Sequence, residues 1–348
     1  MSPSFCVDAS PALRATALAA LLLAVGSGAA CSGGGSATPN DGAAGTGTAG
    51  TTGAAGTTGG AGTTGAAGEN AVVGAFAIKL VETMGTNAAH TTITGVVKDG
   101  PQPDLVHFVA GTKDGSCALY TPEVPFCSTP CGSAACVADD TCQAYPTAKN
   151  VGTVTVDGLA GAAGFALSSS SNSYTTGVGF SPSYPPFTEG ADVSVSASGA
   201  DYAAFSIHAK AIAPLVLPSS AITLQKNQPL ELTWTAAGAA ADSAIHVQLD
   251  VSHHGGTKGQ IRCDAPDTGS LTISAALVTQ LINLGFSGYP SITVTRSSSG
   301  EATIAPGRVQ LVVSQDIERY VQIPGLVSCT DDKDCPTGQT CQDDLQCK

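Results

Sequence analysis

The sequence predicts a mainly β protein: an antiparallel β-sandwich ectodomain, built as one sandwich or two, with one short helix, two small disulfide-rich modules and a disordered N-terminal linker. Three observations predict it. From residue 71 onward apolar residues alternate with polar ones at a period of two, which is the strand signature. Ten cysteines fall in that part of the chain, eight of them in two clusters of four. Ahead of it runs a tract of Gly, Ala, Thr and Ser with too little apolar surface to offset the entropy of ordering it.

In chain order, residues 1–30 read as an export signal. Arg14 precedes an apolar run from Ala15 to Val25. That length fits the roughly 7 to 15 residues of a signal-peptide core and falls short of the ~18 that span a bilayer. Gly28, Ala29 and Ala30 stand directly before Cys31, and Ser32 follows it. This segment resembles the lipobox of bacterial lipoproteins, departing from it in having Gly28 where leucine is commonest and Asp8 ahead of the core. The resemblance implies that the Cys31 thiol takes a diacylglyceryl group and becomes the mature N-terminus. It also implies, through Ser32, residence at the outer membrane or cell surface. Buried acyl methylenes contribute about 0.8 kcal/mol each, so several chains together anchor a protein firmly. Secretion after cleavage near Ala30 is the alternative.

Residues 31–69 hold the lipidation cysteine and the linker. Ala-Gly-Thr-Thr-Gly recurs from Ala49, Ala55 and Ala61, and Asp41 is the only charge between residues 32 and 68. Such a tract would have a root-mean-square span of roughly 30 to 40 Å. Charge is scarce throughout, at 12% of residues, yet the balance is acidic, at −13. An acidic surface without Lys/Arg clusters repels phosphate backbones, so no nucleic acid is expected as a partner.

The cysteines divide the ectodomain. Cys127, Cys131, Cys136 and Cys142 lie in an insertion at 117–146, and Cys329, Cys335, Cys341 and Cys347 make a tail module at 327–348. The last spacer of each cluster carries an acidic pair, Asp139-Asp140 and Asp343-Asp344, as though one module were used twice. The tail, Cys-Thr-Asp-Asp-Lys-Asp-Cys-Pro-Thr-Gly-Gln-Thr-Cys, resembles the small extracellular knuckles of the Dickkopf N-terminal type, which implies disulfides and no activity. The connectivity inside each cluster stays open. Cys117 and Cys263 remain, and are expected to bridge each other. Zinc is the competing use of four cysteines, but no Cys-x2-Cys pair occurs and an exported chain meets oxidising conditions. No metal and no cofactor are expected.

A boundary is placed near Pro214, between a first β domain at 70–213 and a second at 214–326. In the first, Val193, Val195 and Ala197 alternate with polar neighbours, as do Phe205, Ile207 and Ala209. In the second, the alternating sets are Leu230, Leu232 and Trp234; Ile245 to Val251; Leu271 and Ile273; Ile292 and Val294; and Val309, Leu311 and Val313. Gly255-Gly256, Ser297 to Gly300 and Pro306-Gly307 read as turns. The one helix is expected from Ala275 to Leu284, with Ser274 as N-cap and Gly285 as the stop. The second block resembles bacterial immunoglobulin-like sandwiches in its Leu-Glu-Leu-Thr-Trp-Thr strand with an inward Trp234, a resemblance that implies a fold and no functional residues.

Few residues suggest chemistry. Asp267-Thr268-Gly269-Ser270 resembles the heart of aspartic proteases, whose mechanism needs a second carboxylate. No second copy exists, so a turn before the strand at Leu271 is expected. His253-His254-Gly255-Gly256 invites a metal reading, but neighbours on a strand end point to opposite faces and one ion does not easily take both, so a solvated Gly-rich hairpin is expected. Asp331, Asp332 and Asp334 read as a solvated charge run, and Gly285-Phe286-Ser287-Gly288 lacks the last glycine of a nucleophile elbow. Tyr184-Pro185-Pro186-Phe187 is the one loop equipped to stack on a ligand, although a rigid turn whose rings plug the sandwich end is the favoured reading. These residues point to a non-catalytic surface protein, membrane-bound through its lipid, that binds an unidentified protein, polysaccharide or envelope partner. The alternatives are an exported hydrolase assembled from distant loops and a structural envelope component.

Overall fold

A computed structural model describes residues 70–161, 164–177, 182–218 and 221–348. The expected export signal, Cys31 and the expected linker lie outside the described residues. The strands of the first half are β1 (Val72–Val81), β2 (His90–Val97), β3 (His107–Asp114), β4 (Cys117–Glu123), β5 (Ala135–Ala138), β6 (Thr141–Gln143), β7 (Val154–Asp157), β8 (Phe165–Ala166), β9 (Ser168–Ser170), β10 (Ser173–Thr175), β11 (Asp192–Ala197) and β12 (Phe205–Lys210). The second half adds β13 (Ile222–Thr223), β14 (Leu230–Thr233), β15 (Ala244–Asp250), β16 (Gln260–Pro266), β17 (Ser270–Ile273), the helix α1 (Ala275–Asn283), and the long pair β18 (Ser291–Ile304) and β19 (Gly307–Gln322).

One large sheet organises the fold, in the order β3-β4-β16-β15-β18-β19-β1-β2-β10-β9, with β13 added against β19. Its spine is the β18–β19 hairpin, paired from Ser291↔Tyr320 to Ile304↔Gly307. β1 lies parallel to β19, from Val72↔Arg308 to Leu80↔Gln315, so the first described strand is zipped to the last strand of the large sheet.

Two covers share this sheet. A second sheet, β12-β11-β7-β8, packs on one half. Phe76, Ile78 and Leu80 of β1 and Val309, Leu311 and Val313 of β19 meet Val154, Val193, Val195 and Ile207 there. The other half is covered by the β14–β17 pair and α1. There Val247, Ile261, Ile292 and Val294 meet Leu232, Trp234, Ile273, Leu277 and Leu281. Alternating strands with one apolar face make this arrangement, since each face must be buried against another layer.

The two cores are separated by a polar belt. At its centre Arg296 of β18 stands opposite Gln315 of β19. The chain passes between the covers here: Arg296 Nη1 donates to the carbonyls of Ala213 (3.2 Å) and Pro214 (3.0 Å), and Gln315 Oε1 accepts from the Leu215 amide at 2.6 Å. The hydrophobic contacts thus change core at Pro214, while the sheet beneath runs on without a break.

The helix starts at Ser274, whose hydroxyl accepts from the Leu277 amide, and Gly285 follows its C-cap at φ +87°. Ser297 to Gly300, expected as a turn, lies instead inside β18. The serines pair across the hairpin, and Gly300 lets the β12 backbone approach: a Cβ there would sit 1.7 Å from the His208 carbonyl oxygen. Small residues at this position mark a close strand crossing.

Candidate functional site

Asp267 follows β16, fully buried. Its Oδ1 accepts from Trp234 Nε1 (2.8 Å) and Arg296 Nη2 (2.9 Å), and its Oδ2 from Ser243 Oγ (2.7 Å) and Arg296 Nε (2.6 Å). Burial alone would raise its pKa, but the hydrogen bonds from Arg296, Ser243 and Trp234 outweigh it and hold the carboxyl below the usual range. With four donors on two oxygens, this carboxylate has no lone pair left for a water or a substrate proton. Gly269, at φ +96°, makes the expected turn. Asp267 does not sit in solvent as an ordinary turn former; it anchors the polar belt.

The expectation of opposed histidines is also corrected. His254 adopts φ +61°, which bends the chain so that its ring lies 3.9 Å, centroid to centroid, from that of His253. His253 Nε2 in turn lies 3.3 Å from Glu318 Oε1. The tail aspartates serve the knuckle's own backbone: Asp334 Oδ2 accepts from the amides of Thr330 and Asp331 and from the Thr330 hydroxyl, and Asp332 Oδ1 accepts from the Cys341 amide.

All ten described cysteines are paired, as Cys117–Cys263, Cys127–Cys136, Cys131–Cys142, Cys329–Cys341 and Cys335–Cys347. Both clusters therefore join first to third and second to fourth. In each the third and fourth cysteines face one another across an antiparallel pair, and the residue two before the last cysteine, Asp140 or Leu345, has a positive φ. The sulfurs of Cys127, Cys131 and Cys136, and those of Cys329, Cys335 and Cys347, lie within 4.8 Å of one another. Committed to disulfides, they offer no thiolate to a metal.

The Tyr184–Phe187 loop plugs the end of the first core. Phe187 is buried in it, and Tyr184 packs against it with its hydroxyl 3.4 Å from Gln315 Nε2. Burial pushes the Tyr184 hydroxyl pKa up. Neither ring lies open as a platform, so of the two readings of this loop the structure matches the plug and not the ligand loop.

An open aromatic site lies elsewhere, at the far end of β19. A groove of ≈ 720 Å³ is lined there by Tyr289, Pro290, Tyr320, Val321, Ile323 and Leu326, together with Thr223, Gln322, Pro324 and Ser328. Val321 and Ile323 belong also to the second core beneath. Tyr320 is 73% exposed, and Tyr289 braces it at 6.3 Å with the rings inclined at 60°. Backbone pairing fixes the walls: the Val321 amide donates to Pro290 O (2.9 Å), the Leu224 amide to Gln322 O (2.8 Å), and the Leu326 amide to Ile323 O (3.0 Å). The last closes a turn through Pro324 and Gly325, whose φ of +84° suits the third position of a type II turn.

The tail module completes the site. Ser328 Oγ and Gln346 Nε2 both donate to Gly288 O, at 2.7 and 2.6 Å, and the Gly288 amide donates to Asp344 O at 2.8 Å. The module is thereby fastened to the loop that carries Tyr289. Sequence reasoning missed this groove because its lining comes from separate segments. The signal in the sequence is weak, since Tyr289-Pro290 is one of three Tyr-Pro dipeptides, with Tyr145-Pro146 and Tyr184-Pro185.

Among the described residues no helix is long and apolar enough to cross a membrane. No family model and no curated protein matches the chain. A solved structure that it is similar to holds the FN1-FN3 domains of chicken CNTN1, at 10% identity over 67% of this chain and 72% of that one, with a TM-score of 0.17. The mainly β fold thus stands on this chain's own strands, sheets and disulfide modules.

Proposed function

We propose that this chain is a non-catalytic surface lipoprotein, with a lipid foot at Cys31, a spacer, and an ectodomain that holds a partner in the groove beside Tyr320. The observation that carries the binding role is Tyr320 itself: a large ring, 73% exposed, braced by Tyr289 over a concave surface. Exposed aromatic surface at a preformed cleft is the usual mark of a recognition site. Full pairing of the described cysteines supports maturation outside the reducing cytosol. The apolar run before Cys31 and the small residues flanking it support export and lipidation. The saturated hydrogen bonding of Asp267 removes the sharpest catalytic candidate.

Two measurements test this reading. Fractionation of a bacterial host expressing the full chain should place the wild-type protein with membranes and Cys31→Ser in the soluble exported fraction. The soluble form should be retained on isolated cell-envelope material and lose retention with Tyr320→Ala. Equal partitioning of the two forms overturns the anchor, and retention indifferent to Tyr320 overturns the groove.

A further inference from the structure

We infer that the groove receives an uncharged saccharide chain stacked on Tyr320, an inference that rests on the binding role above and names its ligand class. Among the described residues no Asp, Glu, Lys, Arg or His lines the groove. An ionised ligand would therefore give up hydration there without meeting a counter-charge. The chain's overall charge of −13 adds repulsion against anionic polymers. Histidine and carboxylate do occur close by in the chain, at His253 and Glu318, but they face each other at 3.3 Å and do not line the groove.

In place of charge the groove offers two tyrosines and the neutral side chains of Thr223, Gln322 and Ser328. A sugar ring matches that set: its C–H face lies against an aromatic face, and its hydroxyls both donate to and accept from hydroxyls and amides. The volume of ≈ 720 Å³ falls in the roughly 300 to 1,000 Å³ of small-ligand clefts.

A peptide fits less well. Extended peptides bind by adding to a free strand edge, and here both sides of β19 are taken, with Tyr320 opposite Ser291 and Val321 beside Ile222. Proline-rich helices dock in aromatic-lined grooves, whereas Tyr289 inclines at 60° against Tyr320 and leaves that ring as the single platform.

The test is a glycan array of neutral and anionic oligosaccharides probed with the full chain, followed by titration of the strongest neutral glycan. Decaproline serves as the peptide probe. The expected result is binding to neutral glycans, weakened about tenfold or more by Tyr320→Ala and restored by Tyr320→Trp. No bound neutral glycan, a glycan bound equally by Tyr320→Ala, or decaproline binding that depends on Tyr320 overturns the inference. Envelope retention that depends on Tyr320, with no neutral glycan bound, removes the saccharide and leaves the binding role. Loss of both removes the two together.

Discussion

Arg296 and Asp267 form a two-pronged ion pair, at 2.6 and 2.9 Å, with side chains 1% and 0% exposed. The pair lies in the seam between two hydrophobic cores that share one sheet, and the remaining donors of Arg296 hold the chain where it crosses that seam. A buried pair of this kind contributes little net stability beside an apolar replacement, but losing one partner strands the other.

The variant Arg296→Met therefore leaves Asp267 charged and dry, and releases the carbonyls of Ala213, Pro214 and Thr235. Denaturant unfolding should show a loss of about 3 to 5 kcal/mol. A loss within about 0.5 kcal/mol, the range of surface substitutions, would contradict the role given to this pair.

Acid should weaken the fold through carboxylates whose pKa is depressed. Asp99 follows β2 and binds the amide and hydroxyl of Thr147, at 2.7 and 2.5 Å, and Lys149 Nζ at 3.0 Å. These bonds, led by the Thr147 hydroxyl, lower its pKa from 3.8 to about 2. A carboxylate depressed by folding stabilises above its unfolded pKa and loses that contribution as pH falls through the folded one. Stability followed by circular dichroism should hold above 3.8 and fall toward about 2. Asp99→Asn should be less stable at neutral pH and show a shallower decline, while a decline of unchanged steepness would exclude Asp99 as a contributor.

The Cys117–Cys263 bridge closes a separation of 146 residues, and both cysteines are buried. Replacing both with alanine should cost about 2 to 5 kcal/mol. Differential alkylation under mild reduction should open Cys127–Cys136 and Cys131–Cys142, which are partly exposed, before Cys117–Cys263. Early labelling of Cys263 would contradict the burial.

At Gly300 a methyl group would meet the His208 carbonyl oxygen at 1.7 Å. Gly300→Ala should force β12 away from β18 and cost about 1 to 3 kcal/mol. Hydrogen exchange should locate the loosening at residues 205–210, and unchanged protection there would argue against the close crossing.

The period-two strands, the helix between Ser274 and Gly285 and the inward Trp234 are all legible in the sequence, because each is a local pattern. The seam is not. Nothing in the neighbourhood of Arg296 distinguishes it from a surface arginine, and its partners lie on three other segments, at 213–214, Thr235 and Asp267. The serines before Gly300 read as a turn because a close strand crossing requires the same small residues. Of three Tyr-Pro dipeptides, the one at Tyr184 plugs a core and the one at Tyr289 opens on a groove. The difference is set by what each tyrosine packs against, Phe187's core for Tyr184 and the end of β19 for Tyr289.

The parallel pairing of β1 with β19 has a mechanical consequence. Asn70 lies beside Arg308 at one end of this ladder, and the groove lies beyond the opposite end, at Tyr320. A tug between Asn70 and Tyr320 therefore runs lengthwise along the two strands. It loads their hydrogen bonds together in shear instead of peeling them singly, the arrangement in which a ladder resists force best.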